Sequence, residues 1–404
     1  HIYDKKTINE EIKKKLFVGV FKIVNTPDFR ECLRNAVQQN NKKMNSFYHA
    51  LELYSQRHSM QAILTNNWFD IGHEDKYYNS KLEVRAREFN HITIDKNRGI
   101  LKKTSDDKDK FIGEIKWYLK LPSDVEYVRP RIFDYSTSYV NPYVSMEYYA
   151  YHTVHELFLY GDLTLQQWID IFNRIRFVCD DFKRYTVQDT DIRPALEEMY
   201  LTKTFQRFEK MKKDERFLTF FESAITVNGK RYLPLNEIII ALEKAIPEML
   251  YDVDTFNIIH GDLCFANIMV DSNFSFIKVI DPRGKFGTYD IYGDFRYELA
   301  KLFHSVDGKY DFIIKDLFDL DYNAETACIN YHIQDRKRDF NLYKVFLDTF
   351  AAEVGGDLKK IELIEALLFL SMIPLHGESI RHQMVMLGTG LEILNRVIDI
   401  KESV

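Results

Sequence analysis

The chain has 404 residues, 46% of them hydrophobic and 29% charged, with a formal net charge of -6. A chain of this size is expected to form two domains with substantial cores. The acidic balance argues against a nucleic-acid partner, because binding to a phosphate backbone requires a basic stripe. Without an apolar run of about eighteen residues or a signal peptide, neither a membrane partner nor export is expected. The four cysteines lack C-x-x-C spacing, which favours a reducing, cytoplasmic location.

The first ninety residues contain short motifs in a mixed helix and strand pattern, among them HIYDKKTI and NNWFDIGHEDKYYNSK. They resemble the C-terminal half of a sugar-phosphate nucleotidyltransferase. This resemblance implies that Asp4 with Lys5 binds a sugar phosphate and that Asp70 binds a catalytic metal, although Glu is more usual at the position of Asp4. The glycine-rich loop that begins such domains does not occur in the sequence, so the chain is interpreted as part of a longer two-domain protein. An unrelated α/β cap is the alternative.

The boundary between the two domains is predicted near Asn90, where no Pro- or Ser-rich linker occurs, so direct packing of the domains is expected. Residues 91 to 105 alternate apolar and polar positions around an Asp-Lys-Asn-Arg-Gly turn, which predicts a β-hairpin. The stretch KDKFIGEIKWYLKL then predicts a helix. The run from Tyr139 to Phe158 predicts a strand, a short connection and another helix.

Beyond residue 151, apolar residues recur at three- and four-residue intervals, which predicts amphipathic helices with most of their aromatic side chains in the core. The three clearest segments are LTLQQWIDIFNRIRFVCDDFKRY, PLNEIIIALEKAIPEML and KKIELIEALLFLSMIPLH. We therefore expect this part of the chain to be mostly helical.

The segment HGDLCFANIM begins at His260 and places Asp262 five residues before Asn267. An apolar run then predicts a strand that delivers Asp281 to the same place. One carboxylate could accept the proton of an attacking hydroxyl, while an amide oxygen and a second carboxylate hold Mg²⁺ against nucleotide phosphates. Asp262 is the candidate base, Asn267 and Asp281 are the candidate metal ligands, and His260 is interpreted as a packing residue. The alternative is a turn and a strand end marked by Pro and Gly.

These residues resemble the aminoglycoside phosphotransferase and choline kinase branch of the protein-kinase-like fold, with HGD in place of HRD. The overall prediction is then a partial α/β domain over residues 1–90, followed by an α+β kinase-like domain over 91–404. Its small lobe would span about 91–150 and its mostly helical large lobe about 151–404. The stretch GDFRYELAKL resembles the family's GDP-x-x-DLA helix start, so Asp294 is expected to bond the catalytic loop, and Glu298 replaces an Asp there.

The same resemblance makes the hairpin the lid over the nucleotide. Lys103 is the candidate lysine for the α and β phosphates, and Glu114 is its expected partner. Lys102, on the opposite face of the strand, is the competing candidate. Ordinary surface charges are the alternative for Lys103 and Glu114. With Gly99 as the only glycine of the turn, a G-x-G-x-x-G cover is absent.

The hinge of such a domain would fall at Met146, Glu147 and Tyr148, where backbone groups are expected to bond the nucleotide base. Any residue type can supply these contacts, so the sequence does not distinguish ATP from GTP.

A small hydroxyl compound is the favoured acceptor, because only about ten residues separate Asp281 from the next helix and leave no room for a peptide shelf. Candidates for its pocket are Arg283, Asp290, His376, Glu378 and Arg381. Structural salt bridges, packing and capping are the alternative roles of Arg283, His376 and Arg381.

The resemblance thus implies a Mg²⁺-dependent kinase that phosphorylates a sugar, polyol or amino alcohol with ATP or GTP. By analogy with the domain pairing, its product would then be activated as a nucleotide conjugate for a surface (capsular) polysaccharide. Two alternatives stay open: a nucleotidyltransferase with an inert kinase-like scaffold, and a binding module that senses nucleotides. The acceptor, the base and homo-oligomer formation are left undetermined.

Overall fold

The structure is a computed structural model that describes residues 22–39, 46–60, 90–188 and 191–401. Contacts within the chain divide it into two compact units, His1–Arg85 and Ala86–Val404. The residues assigned to a nucleotidyltransferase-like site, Asp4, Lys5 and Asp70, lie outside the described residues.

The first unit contains two described helices, α1 (Thr26–Gln39) and α2 (Ser46–Arg57). The side chain of Asn25 accepts a hydrogen bond from the backbone amide of Asp28, which caps the start of α1. The ring of Tyr54 on α2 packs under α1, and its hydroxyl accepts a hydrogen bond from the amide of Asn25. Helix α2 is thereby joined to the beginning of α1.

The second unit begins with a four-stranded antiparallel sheet of β1 (Asn90–Asp95), β2 (Ile100–Ser105), β3 (Ile132–Ser136) and β4 (Tyr143–Glu147), in the order β1-β2-β4-β3. The predicted hairpin is confirmed, because β1 and β2 pair around a turn that ends at Gly99, which has a φ of +64°. Glycine adopts this left-handed conformation without the strain that a Cβ would add.

The predicted helix after the hairpin is also confirmed as α3 (Lys108–Lys120). Asp107 caps its N-terminus by accepting a hydrogen bond from the amide of Lys110. Its buried face carries Phe111, Glu114, Ile115, Trp117 and Tyr118, so one carboxyl group lies among apolar side chains. A buried carboxyl group needs a partner.

The rest of the second unit is mostly helical, and the three predicted amphipathic segments form α5, α9 and α14. Its described helices are α4 (Val154–Tyr160), α5 (Leu165–Lys183), α6 (Arg193–Leu196), α7 (Lys203–Lys212), α8 (Leu218–Glu222), α9 (Leu235–Leu250), α10 (Phe295–Val306), α11 (Tyr310–Ile313), α12 (Leu342–Thr349), α13 (Ala351–Val354), α14 (Leu358–Met372) and α15 (Ile380–Val397), with a π-helical turn at Glu197–Thr202 between α6 and α7. No helix in these described ranges is long and apolar enough to cross a membrane.

Short strands connect these helices in three further sheets. They are β5 (His152–Thr153), β6 (Thr186–Gln188), β7 (Ile225–Val227), β8 (Lys230–Tyr232), β9 (Thr255–Ile258), β10 (Ile268–Val270), β11 (Ile277–Val279), β12 (Tyr292–Gly293), β13 (Phe318–Asn323) and β14 (Cys328–Ile333). The sheets have the orders β11-β10-β5, β12-β9-β6 and β13-β14-β7-β8. The hairpin of β10 and β11 places residue 281 beside the segment between β9 and β10.

Helix α10 is buried from its first residue to its last. It packs against α14, which is itself buried from Ile361 to Ser371. Glu298 and Lys301 on α10 are therefore ionisable groups in the core of the large lobe, with exposed fractions of 0% and 8%. Charged groups at such depth require partners.

A close backbone contact joins α3 to the loop after β11. Gly284 has a φ of +64°, and a Cβ at this position would lie 2.1 Å from the carbonyl oxygen of Gly113 on α3. This approach determines how near the helix that carries Glu114 comes to Asp281.

We expect Gly284→Ala to lower the free energy of unfolding by more than Gly99→Ala, measured by urea denaturation. Both residues have a φ of +64°, so both changes incur the left-handed backbone cost of about 1–2 kcal/mol. Only at Gly284 does the new methyl group overlap a neighbouring backbone, and such overlap adds about 1–3 kcal/mol. Gly99 has nothing within 4 Å and is the matched control. Equal losses in the two variants would contradict the close contact.

Candidate active site

Two segments of the large lobe meet through backbone hydrogen bonds. The amide of Ile280 donates to the carbonyl of Asn267 at 3.0 Å, and the amide of Arg283 donates to the carbonyl of His260 at 2.9 Å. The Nε2 atom of His260 also lies 3.0 Å from the carbonyl oxygen of Ile280. These bonds hold Asp281 beside the segment that carries Asn267.

His260 lies in the protein interior, with its ring edge-on to Trp117 at a centroid distance of 5.3 Å. The indole nitrogen of Trp117 donates to the carbonyl of Ile259 at 2.7 Å. Burial lowers the pKa of His260 to about 4, although the charge of Asp262 opposes this shift. The ring is therefore neutral near pH 7 and braces the two segments, as expected for a packing residue.

Glu298 of α10 supports the loop that begins at His260. Its two carboxylate oxygens accept hydrogen bonds from the amides of His260 at 3.2 Å and Gly261 at 2.9 Å. Burial raises the pKa of Glu298 to about 8, and the two amide donors act in the opposite direction.

Gly261 has a φ of +75°, and a Cβ there would lie 2.9 Å from the Cβ of Arg283.

Asp294 does not make the contact with the catalytic loop that the sequence suggested. Its carboxylate instead caps α10 through the amide of Arg296 at 2.9 Å, pairs with the Arg296 guanidinium, and accepts a hydrogen bond from the hydroxyl of Tyr200 at 2.8 Å. Glu298 takes over the contact with the loop, because it lies one helical turn further on and its longer side chain reaches two amides. The supporting role of Asp294 is thus to start the helix.

The carboxylate of Asp262 lies between an amide and a lysine. Asn267 Nδ2 donates to the backbone oxygen of Asp262 at 2.8 Å and to its Oδ2 at 3.1 Å. Lys301 Nζ lies 2.9 Å from the other carboxylate oxygen, Oδ1. Burial alone would lower the pKa of Lys301, but the charge and hydrogen bond of Asp262, together with smaller contributions from Tyr297 and Cys264, raise it. Lys301 is therefore charged and holds the carboxylate in place.

Lys301 was missed by the sequence analysis, although one signal for it was present. It follows Glu298 by three residues, so the two side chains share one face of α10. A face with an acid and a base inside an otherwise apolar helix is a sign of buried polar partners.

Lys103 joins the small lobe to this loop. Its Nζ lies 2.8 Å from both carboxylate oxygens of Glu114 and 2.7 Å from Oδ1 of Asp281. Burial would lower the pKa of Lys103, but the charges of Asp281 and Glu114 together raise it. Lys102 points to the other face of the strand, where its Nζ lies 4.2 Å from the ring centroid of Tyr143. Of the two candidate lysines, the structure therefore places Lys103 within the site.

Asp281 has a φ of +58°, an unusual conformation for a residue with a side chain. Its backbone amide donates to the hydroxyl of Tyr118 at 3.0 Å. Tyr118 follows Glu114 by one turn of α3, so a single helix face supports both Lys103 and Asp281. The Asp281 side chain is 45% exposed, while those of Lys103 and Glu114 are 5% and 9% exposed, so Asp281 is the member of this group that solvent or a ligand can reach.

At the predicted hinge, fewer backbone amides are available to a nucleotide base than the sequence suggested. The amide of Glu147 donates to the carbonyl of Arg131, and the amide of Tyr148 donates to the carbonyl of Gly99, both at 2.8 Å. These two donors are used within the sheet. The amides of Glu147 and Tyr148 are therefore not available to bond a nucleotide base.

Asn267 and Asp281, the two candidate metal ligands, both offer oxygen atoms to a divalent cation. Asn267 uses its amide nitrogen for Asp262, and within the described residues its Oδ1 accepts no hydrogen bond. Together with the exposed carboxylate of Asp281, this amide oxygen forms the hard, oxygen-only donor set that Mg²⁺ prefers. The residues present thus fit the metal.

Cys264 lies in the same loop and is buried. Burial raises the pKa of its thiol, with a further contribution from Asp262, so the thiolate needed for nucleophilic attack is disfavoured. Cys264 is therefore a small buried side chain and not a candidate nucleophile.

Among the acceptor candidates, Arg283 alone lines the pocket beside this loop. Its guanidinium donates to the hydroxyl of Tyr297 at 2.7 Å. The other candidates contact protein partners elsewhere: Asp290 with Lys120, His376 with Glu378, and Arg381 over the ring of Phe318. Ligand atoms of His376, Glu378 and His382 lie within 4.8 Å of one another, a spacing that suits a metal ion.

Comparisons with known proteins found no family model that matches the chain and no curated protein with a similar sequence. Solved structures do resemble it. The aminoglycoside phosphotransferase APH(4)-Ia is 13% identical, with 77% of this chain and 91% of that chain covered and a TM-score of 0.47. APH(2")-IIa in complex with gentamicin is 14% identical, with 83% and 97% covered and a TM-score of 0.41.

We expect the contribution of His260 to the stability of the second unit to fall as the pH drops from about 6.5 to about 4, because His260 is neutral in the folded protein and protonated in the unfolded chain over this range. The group's contribution is complete above pH 6.5 and is lost towards pH 4, by up to about 3 kcal/mol.

His260→Phe should remove this contribution and so change the slope of stability against pH in urea titrations, since it keeps the ring against Trp117 and removes the titrating group. His152→Gln, at an exposed position, should leave the slope unchanged. An unchanged slope in His260→Phe would show that acid sensitivity arises elsewhere.

Proposed function

We propose that residues 90–401 form a Mg²⁺-dependent small-molecule kinase, which transfers the γ-phosphate of ATP or GTP to a hydroxyl group. The observation that carries this proposal is the position of Lys103, bonded at once to Glu114 and Asp281. A buried cation beside a partly exposed carboxylate suits the phosphates and the metal of a nucleotide.

In this proposal Lys103 contacts the nucleotide phosphates, and Glu114 keeps the ammonium group in place. Asn267 Oδ1 and the carboxylate of Asp281 would hold Mg²⁺, which neutralises charge on the phosphate oxygens when bound. The left-handed backbone of Asp281 and its bond to Tyr118 direct this carboxylate before the metal binds. Such preorganisation lowers the cost of assembling the site.

Asp262 would accept the proton of the acceptor hydroxyl. Lys301 and Asn267 each bond one of its carboxylate oxygens, so the group is fixed in one orientation. A carboxylate so paired is a weak base. It is suited to orienting the hydroxyl and taking its proton late, as the loose transition state of phosphoryl transfer requires.

The acceptor is proposed to be a small molecule. The chain between Asp281 and α10 contains one short strand, β12, and no helix among its described residues. This segment offers no extended shelf on which a peptide substrate could lie.

More specifically, we propose that the kinase supplies a phosphorylated precursor, which is then activated as a nucleotide conjugate for the synthesis of a surface polysaccharide. This proposal rests on the resemblance of the first ninety residues to a nucleotidyltransferase, and a direct test would be transfer of a nucleotidyl group to the kinase product by the protein.

A screen of candidate acceptor compounds tests the proposed function directly. Sugars, polyols, amino alcohols and their acidic derivatives would be added to the full chain with Mg²⁺ and ATP or GTP, and ADP or GDP release would be followed in a coupled assay. We expect release that depends on one class of hydroxyl compound and is absent with Asp262→Asn. Nucleotide binding without release for every acceptor would instead favour a nucleotide-sensing module, and no binding at all would favour an inert scaffold.

Replacing the two acidic residues should separate chemistry from binding. We expect Asp262→Ala to lower kcat by about 10²–10⁴-fold while the nucleotide Kd changes little, because its carboxylate acts on the acceptor. Asp281→Ala should weaken Mg²⁺-nucleotide binding by about 10–100-fold, measured by calorimetry. Similar, mild losses in both properties for both variants would contradict these roles.

The two neighbouring lysines of β2 provide a matched pair. We expect Lys103→Met to weaken nucleotide binding and to lower kcat/KM by at least about 100-fold, because a buried charge at the phosphates is lost. Lys102→Met should leave both within about twofold, since that side chain lies over Tyr143 on the other face. The reverse order of effects would assign the site to Lys102.

A further inference from the structure

A pocket beside the candidate base is lined by three basic side chains. Lys203 and Arg207 come from successive turns of α7, and Arg283 comes from the loop after Asp281. None of the described residues that line this pocket is acidic. The pocket therefore presents an excess of positive charge in a chain whose net charge is -6.

Protein partners neutralise only part of this charge. In the described part of the chain, Arg207 donates to the backbone and hydroxyl oxygens of Ser371, at 3.2 and 3.3 Å, and both acceptors are neutral. Arg283 donates to the hydroxyl of Tyr297, again a neutral group. Lys203 alone has a carboxylate, Glu198, at 3.2 Å. Three cations with one carboxylate leave an unbalanced charge of about two.

The three cations also affect one another. Burial lowers the pKa of Lys203 and that of Arg207, and the charge of Arg283 lowers both further. Like charges in a partly buried pocket are unfavourable unless an anion lies among them. The arrangement is therefore complementary to a ligand that carries negative charge.

The pocket adjoins the site of the proposed reaction. The guanidinium carbon of Arg283 lies 5.8 Å from the ring centroid of Tyr297, and Lys301 Nζ lies 5.9 Å from the same centroid. Lys301 in turn pairs with Asp262. A small molecule with one group at Arg283 could thus present a hydroxyl near Asp262.

Part of the pocket wall is apolar. Ile364, Leu367 and Leu368 of α14 line it. These side chains suit the carbon skeleton of a short molecule, while the basic residues suit its charged end.

We propose that Lys203, Arg207 and Arg283 bind an anionic group, a phosphate or a carboxylate, on the hydroxyl compound that the kinase phosphorylates. The acceptor class would then be sugar phosphates or hydroxy acids, and cationic amino alcohols and aminoglycosides would be excluded by repulsion. This inference rests on the proposed kinase function for the identity of the acceptor, and its anion site can be tested without turnover.

Binding of inorganic phosphate is the first test, measured by calorimetry on the full chain with Mg²⁺ and ADP present to fill the nucleotide site. We expect Arg207→Gln and Lys203→Gln each to weaken phosphate binding by about 10–100-fold, the effect of losing one charge-assisted hydrogen bond. Lys210→Gln, at an exposed position on the same helix, should bind as the unaltered protein does. Equal affinity in all of these proteins would overturn the anion site.

Arg207→Lys distinguishes charge from packing, because it retains the cation and alters the bonds to Ser371. We expect it to recover most of the phosphate binding that Arg207→Gln loses. A loss as large as that of Arg207→Gln would assign a structural role to Arg207 and overturn its part in anion binding.

Turnover is the second test, with each acidic acceptor compared with its neutral parent. We expect acidic hydroxyl compounds to have the higher kcat/KM, and Arg207→Gln to raise their KM by about 10–100-fold with the KM for nucleotide unchanged. Preference for neutral or cationic acceptors, with Arg207→Gln active as before, would overturn the anion site and leave the kinase proposal intact. Phosphate binding at this site without turnover of any acceptor would instead reject the kinase.

Discussion

The structure of the candidate site depends on one buried ammonium group. Lys103 lies between Glu114 and Asp281, and each of the three residues belongs to a different element: the hairpin strand, the helix that follows it, and the loop after β11. A buried lysine is stable only when it is paired, because desolvation of an isolated charge costs several kcal/mol. This requirement holds the sheet, the helix and the loop together at the point where nucleotide phosphates would bind.

The buried helix α10 also positions residues of the candidate site. Every residue of α10 is buried, so the ionisable groups of Glu298 and Lys301 must find partners inside the protein. Glu298 accepts hydrogen bonds from two amides of the loop that carries Asp262, and Lys301 pairs with the carboxylate of Asp262. The backbone of the loop and the side chain of the candidate base are thus positioned by the same element, which is rigid because its neighbours enclose it.

The charges of the site are arranged in two zones. Carboxylates at Asp262 and Asp281 lie in the first zone, where the proposed function places the reacting hydroxyl and the metal, whereas Lys203, Arg207 and Arg283 surround the neighbouring pocket. The first zone suits cations bound with phosphates, and the second suits an anion without a metal. A site with this division would orient an acidic hydroxyl compound, because its charged end is attracted to one zone and repelled by the other.

Residue type and short-range pattern were enough to predict the hairpin around Gly99, the helix of Glu114, and the spacing of Asp262, Asn267 and Asp281. The choice of Lys103 over Lys102, the support of the loop by Glu298 in place of Asp294, and the pairing of Lys301 with Asp262 follow from the three-dimensional packing. Each of these contacts joins residues far apart in the chain, and their energies depend on burial and on partners that local pattern does not specify.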